Sequence, residues 1–86
     1  MILNIYAFKD NKLRCYTQPF YNDVPVENVA VGTTRAILGA KDPNIYKSKV
    51  LYLLGTFDDA SGKIISQEPE LVLDCDEVLG GLENGK

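Results

Sequence analysis

Histidine and tryptophan are absent from this chain of 86 residues, and it holds only two cysteines and one methionine. Without histidine it lacks the commonest general base and the commonest zinc ligand. Neither a Ser–His nor a Cys–His nucleophile pair can be built from it. Cys15 and Cys75 have no CxxC spacing, and they are expected as reduced, partly buried thiols rather than a disulfide. No apolar run approaches the roughly 20 residues that a membrane span requires. Met1-Ile2-Leu3-Asn4 has no basic flank of the kind that opens a signal peptide. The glycines form neither a phosphate-binding loop nor a dinucleotide fingerprint. These absences lead to the expectation of a non-enzymatic protein with no cofactor, no metal and no membrane partner.

What is present is a 45% hydrophobic composition with a lopsided charge. The formal net charge is -3, but residues 1–49 hold seven basic and four acidic residues, against two and eight in residues 50–86. Such a chain can offer one basic face to an anion or pair head to tail. Asp58, Asp59, Asp74, Asp76 and Glu77 do not have calcium-loop spacing. Turn chemistry and a solvated acidic edge account for them.

The strongest local signal is Leu51-Tyr52-Leu53-Leu54-Gly55-Thr56-Phe57-Asp58-Asp59-Ala60-Ser61-Gly62-Lys63-Ile64-Ile65. An apolar run rich in β-formers enters a tight polar turn and returns. It predicts a hairpin, with Val50 to Phe57 as one strand, Gly62 supplying positive φ, and Lys63 to Gln67 as the other. The near-continuous apolar run over Val50 to Leu54 predicts a central strand covered on both faces. Met1 to Lys9 reads as a first strand. Asp10-Asn11-Lys12 reads as a turn and Leu13 to Gln18 as a second strand, broken at Pro19.

Asp23 and Pro25 mark a helix start, with Asp23 as the expected cap or near-cap and Pro25 in the first helical turn. Val26, Val29, Ala30, Thr33 and Ile37 make one helical stripe, and Gly39 stops it. Lys41 to Asn44 is a turn. Pro69 breaks the chain, Leu71 to Asp74 reads as a short fifth strand, and Asp76 to Leu79 as strand continuation or one helical turn. The expected fold is α+β, a mainly antiparallel sheet of four to five strands in the order β-β-α-β-β, the fifth short, with one helix packed on one face. The domain is expected over residues 1–79, with 80–86 as a flexible C-terminal tail. So short a chain buries a modest core, and a homodimer that covers an exposed sheet face or edge is expected.

Basic residues interleave with aromatics along the first hairpin and its exit. Single-stranded nucleic acid is commonly held by aromatic platforms beside cations. Lys9, Lys12, Arg14, Tyr16 and Phe20 are the candidate contacts, and Arg35 adds charge from the helix. The plainer reading is that these aromatics are core, or cover a dimer seam.

Tyr16-Thr17-Gln18-Pro19-Phe20-Tyr21, the helix containing Thr34-Arg35-Ala36, and the hairpin from Leu51 to Ile64 together resemble a known family. An opening Leu3-Asn4-Ile5-Tyr6 and an Asp42-Pro43-Asn44 turn complete the pattern. The chain resembles, over about residues 1–66, the small nonstructural protein of gokushovirus-type microviruses, phages with circular single-stranded DNA genomes. The resemblance implies a protein of the host cytoplasm outside the mature virion. It implies support for viral genome replication, or for the switch to single-stranded DNA synthesis, by binding single-stranded DNA. The alternative is an adaptor that binds phage or host replication proteins, or the packaging machinery, without touching DNA. The acidic second half favours that alternative.

Overall fold

The computed structural model describes residues 1–84. In chain order they form β1 (Ile2–Asp10), β2 (Cys15–Tyr16), β3 (Phe20–Asn22), α1 (Val26–Leu38), a 3-10 turn (Pro43–Tyr46), β4 (Lys49–Asp58), β5 (Lys63–Asp74) and α2 (Cys75–Asn84). All five strands join one antiparallel sheet in the order β2-β1-β4-β5, with β3 beside β2 along the same edge of β1. This is the expected α+β architecture, with one helix more than expected.

The sheet is regular in direction but broken in register, and a proline stands at two of the breaks. Lys9 pairs with Tyr16, whereas Tyr6 pairs with Phe20. Three residues, Thr17, Gln18 and Pro19, therefore span the place of two. Pro19 has no N–H to offer, so the ladder is interrupted there. Thr17 repairs the gap: its N–H donates to the Phe8 carbonyl at 2.7 Å and its Oγ1 accepts from the Phe8 N–H at 3.2 Å. Of the expected strand two, Leu13 to Gln18, only Cys15–Tyr16 is strand, and beyond the bulge Phe20–Asn22 pairs again as a strand that was not expected.

The second break lies between β4 and β5. Leu53 pairs with Glu70 but Gly55 pairs with Ser66, so Gln67, Glu68 and Pro69 stand opposite Leu54 alone. Pro69 again occupies an unpaired position. The expected separate fifth strand is instead the far half of β5, carried across this bulge. At the turn the expectation holds. The Gly62 N–H donates to the Asp58 carbonyl at 2.7 Å with φ +76°, and Asp58 Oδ1 accepts from the Ala60 N–H at 2.9 Å.

Both helices cover one face of the sheet. Tyr6, Leu51 and Leu53 meet Val29 of α1, with Phe20, Val26, Val72 and Leu73 packed around them. A second cluster joins Ile37 of α1 to Cys75 and Leu79 of α2, over Phe8, Tyr46 and Leu73. Each aliphatic side chain fully buried here contributes about 1.5–3 kcal/mol. Such packing, not propensity, supports α1, whose Gly32 and β-branched residues make it weak alone. Its N-cap is Pro25, whose carbonyl accepts from the Asn28 and Val29 N–H groups at 3.0 and 3.1 Å. Asp23, the expected cap, does not serve. Gly39 closes the helix as expected, donating to the Arg35 carbonyl at 2.9 Å.

Helix α2 replaces the single turn or strand expected at Asp76 to Leu79. Asp74 Oδ1 accepts from the Asp76 N–H at 3.0 Å, which satisfies one orphan donor of the first turn. Asp76 and Glu77 then sit at the positive end of the dipole. The expected tail at 80–86 is accordingly helix through Asn84. Residues 85 and 86 lie outside the described residues. No helix among the described residues is long and apolar enough to cross a membrane.

Candidate nucleic-acid interface

Strand parity decides which side chains face away from the helices. Tyr6 and Phe8 of β1 point into the core, so Leu3, Ile5, Ala7 and Lys9 take the other face. Paired residues share a face. Tyr16 opposite Lys9, Tyr21 opposite Ile5, Tyr52 opposite Ala7 and Phe57 opposite Leu3 therefore stand on that same open face. β4 is central in the sheet, as expected, but covered by helices on one side only. The expectation of cover on both faces fails at Tyr52.

The open face carries two aromatic pairs. Tyr16 and Tyr52 meet edge to face with ring centroids 5.9 Å apart, and Tyr21 and Phe57 do the same at 6.0 Å. They differ in their surroundings. Lys9 Nζ lies 5.9 Å from the Tyr16 ring, within the range of a cation–π contact. Beyond it, the β1–β2 turn carries Lys12 and Arg14, both exposed. The turn is held by Asp10, whose Oδ1 accepts from the Lys12 and Leu13 N–H groups at 2.9 and 3.1 Å. The Leu13 bond is the first cause that keeps the Asp10 carboxyl below its usual range. Arg14 takes the left-handed conformation at φ 57°. At the Tyr21 and Phe57 end the positive groups are the Met1 ammonium, 2.9 Å from Asp59 Oδ1, and Lys63 opposite Asp58, each beside a carboxylate. With Ile5, Pro19 and Ile64 those two rings line a hollow of about 340 Å³.

Of the candidate residues, Lys9 and Tyr16 share this face, and Lys12 and Arg14 extend it at the turn. Phe20 and Arg35 do not join them. The Phe20 ring stacks on Tyr6 at 5.5 Å on the helix side. It lines a separate hollow of about 390 Å³ with Phe8, Asn22, Gly32 and Tyr46 among others. Arg35 is exposed on α1, behind the sheet. Lys49 also points to the helix side, its Nζ donating to the Ile45 carbonyl at 2.9 Å and lying 3.8 Å from Asp10 Oδ2. Tyr52 was missed, because the apolar run around it read as buried on both sides. Its alternation with Leu51 and Leu53 was the available signal.

The acidic residues do not form a cluster. Asp58 pairs with Lys63 at one end of the β4–β5 ladder and Asp74 with Val50 at the other. Among the described residues no three acidic or thiol side chains gather as metal ligands. Cys15 is exposed and Cys75 buried, both free. Burial, reinforced by Asp74 and Asp76, pushes the Cys75 thiol up to about 11.

Fold and surface together define a small α+β domain with one helix-covered face and one open aromatic face. The model of the Phage ORF5 protein family matches residues 3–78, from the start of β1 into α2. The chain belongs to that family and is by that membership a phage protein. No curated protein and no solved structure matches it.

Proposed function

We propose that this protein binds single-stranded DNA through the Lys9 end of its open sheet face. In this reading it is the small nonstructural protein of a gokushovirus-type microvirus. It acts without catalysis in the host cytoplasm, in genome replication or in the switch to single-stranded synthesis. The observation that carries the reading is Lys9 over the Tyr16 ring and Tyr16 edge to face with Tyr52, on a face no helix covers. Flat rings offer bases a sequence-tolerant stacking surface, worth about 1–3 kcal/mol per base. Lys9, Lys12 and Arg14 place three positive charges where a phosphate backbone would run. Phage-family membership supports the setting.

The test is fluorescence anisotropy of the purified protein with labelled single- and double-stranded oligonucleotides across a salt series. Single-strand binding that is micromolar or tighter and falls steeply with salt is expected. No binding at low salt would sink the proposal.

A second reading, an adaptor for a phage or host replication or packaging protein, is favoured by one observation. Glu68, Glu70, Asp76 and Glu77 are all exposed along β5 and α2, and Asp76 accepts from the Ser48 N–H at 2.9 Å at the Lys9 end of the sheet. A partner that co-purifies after nuclease treatment would support it.

A further inference from the structure

We propose that a second copy of this chain docks on the Tyr21 end of the open sheet face, giving a weak, reversible dimer. The inference rests on the shape and chemistry of that end and not on nucleic-acid binding.

The hollow there is lined by Ile5, Pro19, Tyr21, Phe57 and Ile64, with no charged side chain among them. Tyr21 is 62% exposed and Ile64 66%. The reverse side of the same sheet end is equally bare, with Ile2 58% and Ile65 62% exposed. Both clusters of buried side chains draw on residues from Tyr6 onward along β1, and neither includes Phe57 or Ile64. A sheet end with apolar side chains on an uncovered face marks an interaction surface or an aggregation hazard.

The free edge of β5 is not the place for a partner. Glu68 and Pro69 sit in its bulge and break the run of ladder groups that an added strand would need. That leaves the face. A polyanion is a poor occupant, because no charged side chain lines the hollow and the positive groups beside it, the Met1 ammonium and Lys63, stand against Asp59 and Asp58. The occupant must be neutral and apolar, and must offer both a ridge and a hollow.

A second copy offers both. Tyr21 and Ile64 project beside the hollow that they line, so a two-fold axis sets each copy's ridge against the other's hollow, as an isologous contact requires. Four strands about 4.8 Å apart, over three to four residues each at about 3.4 Å, present roughly 250 Å² of flat face. Two such faces bury about 500 Å² in all, the scale of a weak, transient contact and well short of an obligate dimer. If only these ends overlap, the two Lys9 platforms remain free at opposite ends of the pair.

The experiment is sedimentation equilibrium of the DNA-free protein from low micromolar to near-millimolar concentration. The wild type is expected to rise from the 9.5 kDa monomer toward twice that mass. Ile64→Lys and, separately, Tyr21→Asp should weaken association at least tenfold, the effect of about 1.4 kcal/mol. Both positions are exposed, and circular dichroism checks the fold of each variant, so either alone suffices if the other fails to fold. Ile2→Lys, on the helix-side face, should associate like the wild type. A wild type that stays monomeric at the highest concentration overturns the proposal. So does undiminished association of a folded Ile64→Lys or Tyr21→Asp protein, or an Ile2→Lys protein that is weakened as much as they are. None of these outcomes depends on whether the Lys9 end binds DNA.

Discussion

The two ends of the sheet are built from similar strands and carry similar aromatic pairs, yet they stand on different supports. Under Lys9, Tyr16 and Tyr52 lie α2, the 3-10 turn and the last turns of α1, closed on Ile37, Cys75 and Leu79. Under Phe57 and Ile64 the reverse face is bare, with Ile2 and Ile65 exposed. The supported end also carries cations, while the unsupported end has an apolar hollow. One small sheet can thus give two surfaces different work. A rigid, charged end suits a polyanion. A bare, neutral end gains most from being covered.

Breaking the supported end should have the largest effect. Leu51 is fully buried between the helices and the sheet. Leu51→Ala is expected to cost about 3 kcal/mol, within the usual range for such cavities, whereas Ile64→Ala should cost little in the monomer. Urea unfolding of the two variants at low protein concentration measures the contrast directly.

Next comes the junction between the ends. A Cβ at Gly55 would collide with the Ile65 carbonyl oxygen and stand 3.1 Å from the Ser66 Cα, both backbone atoms that cannot swing away. Gly55→Ala should therefore cost about 1–3 kcal/mol by overpacking. Amide exchange should locate the damage at residues 63–66 and spare 71–74. Equal loss of protection along all of β5 would show that the two ends do not open separately.

At the supported end alkaline pH acts through Cys75. The folded Cys75 thiol, at about 11, lies above its ordinary value of 9.0. A group raised in this way contributes its stability fully below the unfolded value and loses it as pH rises through the folded one. The wild-type urea midpoint should thus fall between pH 9 and 11 relative to that of Cys75→Val. Parallel profiles would mean that the thiol ionises without opening the α1–α2 seam.

Smaller effects concern binding alone. Replacing both Tyr16 and Tyr52 by alanine should weaken single-strand binding by about tenfold, on the lower side of a stacking loss of about 1–3 kcal/mol per base, without changing association. Lys9→Gln should lower the slope of log affinity against log salt by about 0.7, the share of one phosphate contact on a single strand. A double alanine variant that binds like the wild type would remove this end from consideration.

Much of the fold was legible in the chain because it is written locally. The Asp58–Gly62 turn, the stripe from Val26 to Ile37, the Gly39 stop and the break at Pro19 each depend on a few neighbouring residues. Helix α2 was legible too, but overlooked. Asp74 followed three residues later by Glu77 is a helix-start pattern, and Cys75, Val78 and Leu79 fall at i, i+3 and i+4. β5 was read as two strands because Pro69 signals an end, when it marks a bulge on a sheet edge.

The candidate interface was only half legible, and the reason is parity. Tyr16 and Phe20, four residues apart, would share a face in an unbroken strand. The extra residue between them at Pro19 turns Phe20 to the core while Tyr16 stays outside. Helix α1, laid behind the sheet, carries Arg35 away from both.

By itself the sequence determined the elements, the two proline breaks, the division of charge and the missing chemistry, since these follow from side-chain identity and short-range sterics. Only the tertiary structure decided which aromatics meet Lys9, which face stays open and which end is bare on its reverse face. Those follow from cross-strand register and from where the helices land, and both are set by contacts between residues far apart in the chain.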